Sequence, residues 1–294
     1  ELTPLNDRFR DDPHEVLSDL RARCPAYKDP MSGAVLLSRY ADVRATANDR
    51  ELWRDPLRAE EGAVINRALV QNIDPNLPRT STTSILMLDD PDHSRIRQPL
   101  AQALYARVAK FKPQVEAIID AALDSVAGEP TFDLMDRFCV PVPIDVIASI
   151  LGVDHDRLAE FREWSEGIIQ SLNPFRDAEG TKAMEAASAA LDQYFRAAMA
   201  DRRVNPRDDL ITDMVQLQAA GAELTDDELR INISALLVGG NLTTTDLIGN
   251  GVLLLLRHPS ELAKLKADPS IVNAVVEEVL RYEPPVDITS RIAS

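Results

Sequence analysis

The sequence predicts a mainly α-helical protein, and three observations support this prediction. Most of the 294 residues lie in segments whose apolar side chains recur every three or four positions, which is the period of a helix face. Strand-like alternation is scarce, with residues 34–38 as the best case and residues 288–294 as the second. Hydrophobic residues make up 45% of the chain but aromatic residues only 5%, so the core is expected to consist of Leu, Ile, Val and Ala.

The predicted helices follow one another along the chain, separated by proline, glycine or polar residues. Residues 51–90 lack periodicity and contain several Pro and Asn residues, so a long, partly irregular loop is expected there. Long loops inside compact domains are usually functional. Residues 173–175 form a short joint between two long helices. The helical segments besides the longest one span 13–23, 40–48, 91–106, 113–127, 142–151, 156–172, 178–203, 210–219 and 259–267.

The longest helix has clear ends in the sequence. Thr225 and Glu228 form a capping box, in which each side chain accepts a hydrogen bond from the backbone of the other residue. Arg257 lies near the negative end of the helix dipole, and Pro259 stops the helix. At 1.5 Å per residue the helix spans roughly 48 Å. It is apolar nearly all round between Ile231 and Leu256, as expected of a buried central helix.

Composition excludes several classes of protein. A formal net charge of −16 argues against nucleic acid as a partner and suits a soluble cytoplasmic protein. Two distant cysteines, Cys24 and Cys139, do not make a disulfide scaffold or a CxxC site. No apolar run approaches the roughly 18 residues of a membrane span, and the first residues show no signal-peptide pattern. The four histidines are scattered without a His-Glu-x-x-His motif, so no metal site built from side chains is predicted.

The middle of the long helix is built from poor helix formers. Residues 236–246 read Leu-Leu-Val-Gly-Gly-Asn-Leu-Thr-Thr-Thr-Asp, and each Gly costs about 1 kcal/mol relative to Ala. Thr243 and Thr244 follow Gly239 and Gly240 by four residues, so their hydroxyls are expected to bond back to those carbonyls and bend the helix. The glycine pair would let a flat ligand approach the backbone. Close helix packing through small residues explains the pair equally well.

Three further sets of residues carry weak signals of their own. Glu278 and Arg281 are three apart on one helix face and can form an ion pair. His93 and Arg97 are four apart and could clamp an anion, although a solvated polar face is the more ordinary explanation for that pair. Arg291 follows a pair of prolines and means nothing by itself.

Together and in this order, these residues resemble the haem-thiolate monooxygenases, the cytochrome P-450 family, in its soluble bacterial form. Residues 239–244 are similar to the oxygen-binding motif of the family's long I helix, and residues 278–281 to its Glu-x-x-Arg motif. Residues 91–97 match the C-helix segment and 291–293 the strand after the K helix. The resemblance covers residues 1–294 as a single domain, and it implies a P-450-type fold with a long central helix and small β-sheets.

The resemblance implies haem b as the cofactor. Carried over position by position, His93, Arg97 and Arg291 would hold the haem propionates. Gly239 and Gly240 would let the porphyrin face and dioxygen approach the helix backbone.

The resemblance also assigns catalytic roles along the next turn of the helix. Thr243 would sit beside bound dioxygen as a hydrogen-bonding hydroxyl, with Thr244 as its neighbour. Leu242 stands where the family carries an acid that helps to relay protons. Asp246, one turn later, could replace that acid through water, but it could equally meet only solvent or a nearby Arg.

The remaining implied roles are structural and steric. Glu278 and Arg281 would form a structural network beneath the haem. All the positions expected to line the substrate pocket are apolar or small, so the bound molecule should be hydrophobic. These positions are Ile85, Leu86, Ala235, Val238, Gly239, Val286 and Ile288.

The chain departs from the family in lacking the haem-ligand loop, whose cysteine thiolate is the axial ligand. Neither Cys24 nor Cys139 lies in such a loop, so neither is assigned as a ligand. The axial cysteine is expected beyond residue 294, with the chain as an N-terminal portion that is not stable alone.

The expected activity is insertion of one oxygen atom from dioxygen into a hydrophobic small molecule. Electrons would come from a ferredoxin or flavodoxin with its reductase, because the chain contains no GxGxxG nucleotide-binding fingerprint. An atypical, peroxide-using member of the same fold is one alternative, motivated by Leu242. A haem-free helical protein that binds small molecules is the other, motivated by the absence of the ligand loop.

Overall fold

The computed structural model describes residues 9, 12–30, 33–60, 63, 76–173 and 176–293, and most of their regular structure is helical. The chain forms two compact units, one made of residues 1–75 and 290–294 and the other of residues 76–289. A single domain over residues 1–294 stays a prediction. None of the described helices is both long and apolar enough to cross a bilayer.

Among the residues that the structure describes, the smaller unit contains two α-helices and a two-stranded sheet. Its elements are α1 (Pro13–Arg23), β1 (Ala26–Lys28), β2 (Val35–Leu37) and α2 (Tyr40–Asn48). The strands pair antiparallel, with Ala26 opposite Leu37. The strand predicted at 34–38 is therefore confirmed, whereas its three-residue partner is too short to show alternation in the sequence. Of the strand predicted at 288–294, residue 294 lies outside the described residues, and among residues 288–293 only Ile292 pairs, in a single bridge to Trp53.

In the described part of the larger unit, the regular structure is helical. Short 3₁₀ turns at Arg79–Ser81 and Ile85–Met87 interrupt the predicted irregular loop, and a π-helical turn at Met135–Cys139 precedes α4. The helices are α3 (Asp92–Val126), α4 (Pro141–Leu151), α5 (Leu158–Ile169), α6 (Ala178–Val204), α7 (Leu210–Ala219), α8 (Asp226–Arg257), α9 (Pro259–Ala267) and α10 (Val272–Tyr282).

Helix α3 is one continuous helix of 35 residues, so the prediction of two helices at 91–106 and 113–127 is wrong. Pro113 removes one helical hydrogen bond but does not end the helix. Tertiary contacts hold the stretch between the two predicted segments in place. Arg107, in that stretch, bonds through Nε to Asp213 of α7 at 2.8 Å and through Nη1 to the carbonyl of Asp208 at 2.9 Å.

Helix α8 lies at the centre of the core and begins where the sequence predicts. Glu228 N–H donates to Thr225 Oγ1 at 3.2 Å, and Thr225 N–H donates to Glu228 Oε2 at 2.8 Å, which confirms the capping box. The first half of α8 contributes fully buried side chains to a core shared with α4, α5, α6 and α7. The large, fully buried side chains of this core include Leu151, Phe161, Leu191, Phe195, Met214, Leu229, Ile233 and Leu237.

The second half of α8 is not buried, contrary to the predicted burial up to Leu256. The buried residues of this helix end at Thr245, while Leu253 and Leu256 are 46% and 64% exposed. An apolar sequence indicates which side chains can be buried, but they become buried only where another element packs against them. Among the described residues, α10 packs against this half, with a methyl group of Val279 near Gly251.

A buried ion pair fixes the turn after α4 against α6 and α7. Arg202 Nε bonds to Asp209 Oδ2 at 2.6 Å, with both side chains 4% exposed, and Arg202 Nη2 donates to the carbonyl of Gly152 at 2.7 Å. Gly152 has a φ of 82°, and a Cβ there would lie 2.2 Å from the Cβ of Asp209. Only glycine allows both this backbone and this close approach.

Candidate functional site

The two adjacent glycines of α8 have different surroundings. A Cβ placed on Gly240 would lie 2.9 Å from Cγ1 of Ile147 in α4, so this glycine permits close helix packing. A Cβ placed on Gly239 would meet no described atom within 4 Å. The packing explanation therefore holds for Gly240, whereas Gly239 leaves a patch of backbone open for a ligand to approach.

The threonines that follow also differ from one another. Thr243 Oγ1 donates to the carbonyl of Gly239 at 2.9 Å, which confirms the predicted back-bond. The matching bond from Thr244 to Gly240 was wrongly predicted: Thr244 is exposed, and within the described part of the chain its hydroxyl has no such bond. Thr245 makes the equivalent bond instead, to Asn241 at 3.0 Å. The helix accommodates these bonds without a break.

On the opposite side of this turn, α5 is tied to α8 by a buried polar contact. Arg162 Nη1 donates to Asn241 Oδ1 at 3.2 Å and approaches Thr245 Oγ1 at 3.4 Å. Asn241 is fully buried, and its Nδ2 has no partner among the described residues. Two residues correspond to roughly 200° around a helix, so Asn241 faces away from Gly239.

Asp246 shares a helix face with Gly239 and Thr243, because it follows them by seven and three residues. Its carboxyl is exposed and makes no hydrogen bond or ion pair within the described chain. Partial desolvation raises the pKa of Asp246, while the nearby charge of Arg162 acts in the opposite direction. Both environments proposed for Asp246, solvent and an Arg, are thus present.

The two residues expected to hold an anion lie in the first turns of α3. His93 Nδ1 is 3.8 Å from Asp90 Oδ1, and its imidazole is largely buried. Arg97, one turn later, is exposed, and no ion pair or hydrogen bond of its guanidinium is found among the described residues. Arg95, between them, points away and bonds to Glu228 of α8 at 2.6 Å. The guanidinium of Arg97 is therefore available to an anionic group.

The first turns of α8 hold the loop that carries two pocket candidates. Ile85 is half-buried against the core, and its N–H donates to Asn232 Oδ1 at 3.0 Å. Leu86 is 66% exposed. Burial pushes the pKa of Glu228 upwards, but hydrogen bonds from Arg95, the Thr225 N–H and Thr80 outweigh burial and bring the pKa to about 2.

The candidates from the C-terminal part of the described chain are mostly exposed. Arg281 and Glu278 form the predicted pair, a bidentate one with both N–O distances at 2.7 Å. Val286 and Ile288 lie in a segment without regular secondary structure and are each 58% exposed. Arg291 belongs to the smaller unit, where its guanidinium donates to the carbonyls of Ala47 and Ser290.

Neither cysteine suits a thiolate ligand. Cys139 lies buried in the π-helical turn, where desolvation raises the pKa of its thiol, and so does the charge of Asp133. Cys24 is exposed in the smaller unit, and its sulfur lies 3.5 Å from the carbonyl oxygen of Ala26. No group of three or more His, Cys, Asp or Glu able to hold a metal ion occurs among the described residues.

Two surface cavities of about 440 and 540 Å³ lie beside α5 and α6. None of the residues that line them belongs to the predicted site. The open backbone at Gly239 is thus a separate feature.

Sequence reasoning missed three residues around the site: Asn232, Arg162 and Asn241. The two asparagines carried a signal, since each is an amide in the stretch of α8 that is apolar nearly all round from Ile231 onwards. A buried amide requires hydrogen-bond partners. The partners themselves lie 79 and 147 positions away, and no local pattern identifies them.

Comparison with known proteins identifies the family. Residues 61–294 match the family model described as Cytochrome P450. The chain is 34% identical to Cytochrome P450 107B1 of Saccharopolyspora erythraea over 290 residues, covering 97% of this chain and 69% of that protein. It is 33% identical to 6-deoxyerythronolide B hydroxylase of the same organism over 294 residues, covering 98% of this chain and 71% of that protein.

Solved structures agree with these relatives. The myxobacterial cytochrome P450 CYP267B1, crystallised in complex with myristic acid, superposes with a TM-score of 0.85 at 31% identity, covering 98% of this chain and 71% of that one. P450BioI, in complex with an acylated acyl carrier protein, gives a TM-score of 0.85 at 26% identity, covering 98% and 73%. The predicted mainly α, P-450-type fold is thereby confirmed. The chain belongs to the cytochrome P450 family, and the enzyme is a haem-dependent monooxygenase whose cofactor is haem b with an axial cysteine.

Proposed function

We propose that this monooxygenase inserts one oxygen atom from dioxygen into a hydrophobic small molecule at a haem-thiolate iron. The observation that supports this most directly is the open backbone at Gly239, with the Thr243 hydroxyl one turn later on the same face. When bound, the haem supplies dioxygen binding and activation. The protein's part is to hold the haem, place the substrate, exclude water and deliver protons.

Residues of the larger unit fit the open side of a haem. Gly239 lets the flat porphyrin approach the helix without a side chain between them. Arg97 offers an exposed guanidinium to a propionate, and His93 lies one turn before it on α3. Gly240 is assigned to haem approach only indirectly, since its side-chain position is filled by Ile147 of α4, which packs against α8. Arg291 lies in the smaller unit, and its assignment to a propionate rests on the resemblance alone.

Proton delivery is assigned to Thr243 and Asp246, with Thr244 as a neighbouring hydroxyl. The Thr243 hydroxyl donates to Gly239 O, so its oxygen keeps lone pairs for a proton donor or a water. Asp246 lies on the same face and compensates for Leu242 through water. Its raised pKa brings the carboxyl closer to the pH at which a proton donor works well.

The substrate is assigned to an apolar pocket beside this face. The seven candidate positions are apolar or small, which favours a hydrophobic ligand. The names of two similar proteins are compatible with a hydrophobic ligand. One is a hydroxylase of 6-deoxyerythronolide B, and the other was crystallised with myristic acid. Glu278 and Arg281 are assigned a structural role in holding the haem. The proposal also includes a ferredoxin or flavodoxin with its reductase as electron source and a cytoplasmic location.

The test compares Thr243→Ala with the wild-type enzyme, supplied with haem, reductase, ferredoxin and isotopically labelled dioxygen. We expect about a tenfold or larger loss of product per oxygen consumed, because a positioned proton-transfer group contributes on the order of 10²–10⁴ in rate. Asp246→Asn should lower the same ratio. Thr181→Ala is the matched control, since Thr181 makes the same back-bond, to Asp177 at 2.9 Å in α6, away from the site. Unchanged product per oxygen in both site variants would contradict the assignment.

A further inference from the structure

Asn232 is a buried side chain with a long-range contact to the loop before α3. Its Oδ1 accepts the Ile85 N–H at 3.0 Å, and its Nδ2 donates to the Glu228 carbonyl at 2.8 Å. The residue is 2% exposed, so both hydrogen bonds form away from water. Asn232 precedes Gly239 by seven residues, which is two turns, so the two share a face of α8 roughly 10 Å apart.

Glu228, one turn earlier, holds the segments on either side of Ile85. Its carboxylate accepts hydrogen bonds from Arg95 at the start of α3 and from Thr80 in the 3₁₀ turn at Arg79–Ser81. The chain from Thr80 to Arg95 is thus fixed to α8 at three points, and Asn232 supplies the middle one. Of these three contacts, only the one made by Asn232 holds a backbone group, the N–H of the pocket candidate Ile85.

We propose that Asn232 is a positioning residue for substrate selection. By fixing the Ile85 N–H, it sets where the side chains of Ile85 and Leu86 stand beside the open face at Gly239 and Thr243. Ile85 packs partly into the core, while Leu86 is mostly exposed, so a small movement of this turn changes the space beside that face. The proposal rests on the proposed function in taking the open face as the place where substrate reacts.

The chain offers a matched control for this residue. Asn241 lies on the same helix, is equally buried and also uses its Oδ1 as an acceptor, but its partner is Arg162 of α5. Serine at either position keeps the option of bonding to the carbonyl four residues earlier, as Ser234 does to Arg230 at 3.0 Å. Asn232→Ser therefore removes the bond to Ile85, whereas Asn241→Ser makes the same change in volume and leaves that bond intact.

The first measurement is residue-resolved amide hydrogen exchange. In the wild-type protein the Ile85 amide should exchange at least tenfold more slowly than the neighbouring Leu86 amide, because a buried hydrogen bond must open first. In Asn232→Ser we expect the Ile85 amide to exchange about fivefold faster, which is the change expected when one hydrogen bond is lost. Asn241→Ser should leave its rate unchanged. The wild-type comparison tests the contact even if Asn232→Ser does not fold.

The second measurement is the binding of two probes, imidazole and the larger 4-phenylimidazole, to the haem-loaded protein. The shift of the haem absorption band reports the binding of each probe. The ratio of their dissociation constants should change about threefold or more in Asn232→Ser and stay constant in Asn241→Ser. A constant ratio in Asn232→Ser, or equal changes in both variants, would overturn the proposal. If neither probe binds wild-type protein, the proposed function fails, while the exchange data still decide whether Asn232 holds the loop.

Discussion

One face of α8 contains two stretches with opposite properties. The covered stretch, Glu228 and Asn232, has partners for its polar side-chain atoms and carries the loop from Thr80 to Arg95. The open stretch, made of Gly239, Thr243 and Asp246, has no side chain at one position and an unpaired carboxylate at another, as far as the described residues show. The comparison shows that polar groups stabilise the protein where protein covers them and remain available for a ligand where it does not.

The largest effect is expected from breaking the covered stretch with Glu228→Gln. The folded-state pKa of about 2 lies below the ordinary value of 4.5, so the charged carboxylate stabilises the folded protein above pH 4.5. This stabilisation is lost as the pH falls from 4.5 towards 2. Urea unfolding at pH 7 should show a loss on the order of 3 kcal/mol, since one pKa unit corresponds to about 1.4 kcal/mol.

The control for this change is Glu163→Gln, because Glu163 is exposed and the described chain shows no ion pair for it. It should unfold like the wild-type protein at pH 7. Equal stability of the two variants would mean that the Glu228–Arg95 pair contributes nothing beyond an exposed charge.

A smaller effect, and one of opposite sign at neighbouring positions, is expected from alanine at the two glycines. Gly240→Ala brings a Cβ to 2.9 Å from Ile147, a buried side chain that cannot easily move, and should lower the free energy of unfolding by about 1–2 kcal/mol. Gly239→Ala meets nothing and should raise it by up to about 1 kcal/mol through better helix propensity. Denaturant midpoints of the two variants measure this difference. Destabilisation of equal size at both positions would mean that Gly239 is not open.

The smallest effect concerns the open stretch and is a shift in pH dependence. Arg162→Met removes the positive charge that opposes desolvation of Asp246, so the pKa of Asp246 should rise further. A raised carboxyl pKa means that the folded state binds its proton more tightly, and stability falls as the pH rises through that pKa. In Arg162→Met, the pH at which product per oxygen is half-maximal should move upwards. In Asp246→Asn, product per oxygen should no longer depend on pH in this range. An unmoved profile would exclude Asp246 as the titrating group.

Local sequence determined the ends of α8 and much of the helix order. Capping depends on residues within one turn, so Thr225 and Glu228 identified the start of the helix without tertiary information. The family also followed from sequence, because its motifs are short and keep their order. The pairing of Glu278 with Arg281 was predictable for the same local reason.

Only the tertiary structure decided what contacts each of these residues. Gly239 and Gly240 are identical in sequence terms, yet Ile147 of α4 lies against one and no described atom lies against the other. Arg107, in the middle of α3, bonds to Asp213, which is 106 positions away, and the N–H of Ile85 bonds to Asn232, which is 147 positions away. Propensity and capping act over a few residues. Burial and hydrogen-bond partners are instead set by elements that meet only when the chain has folded.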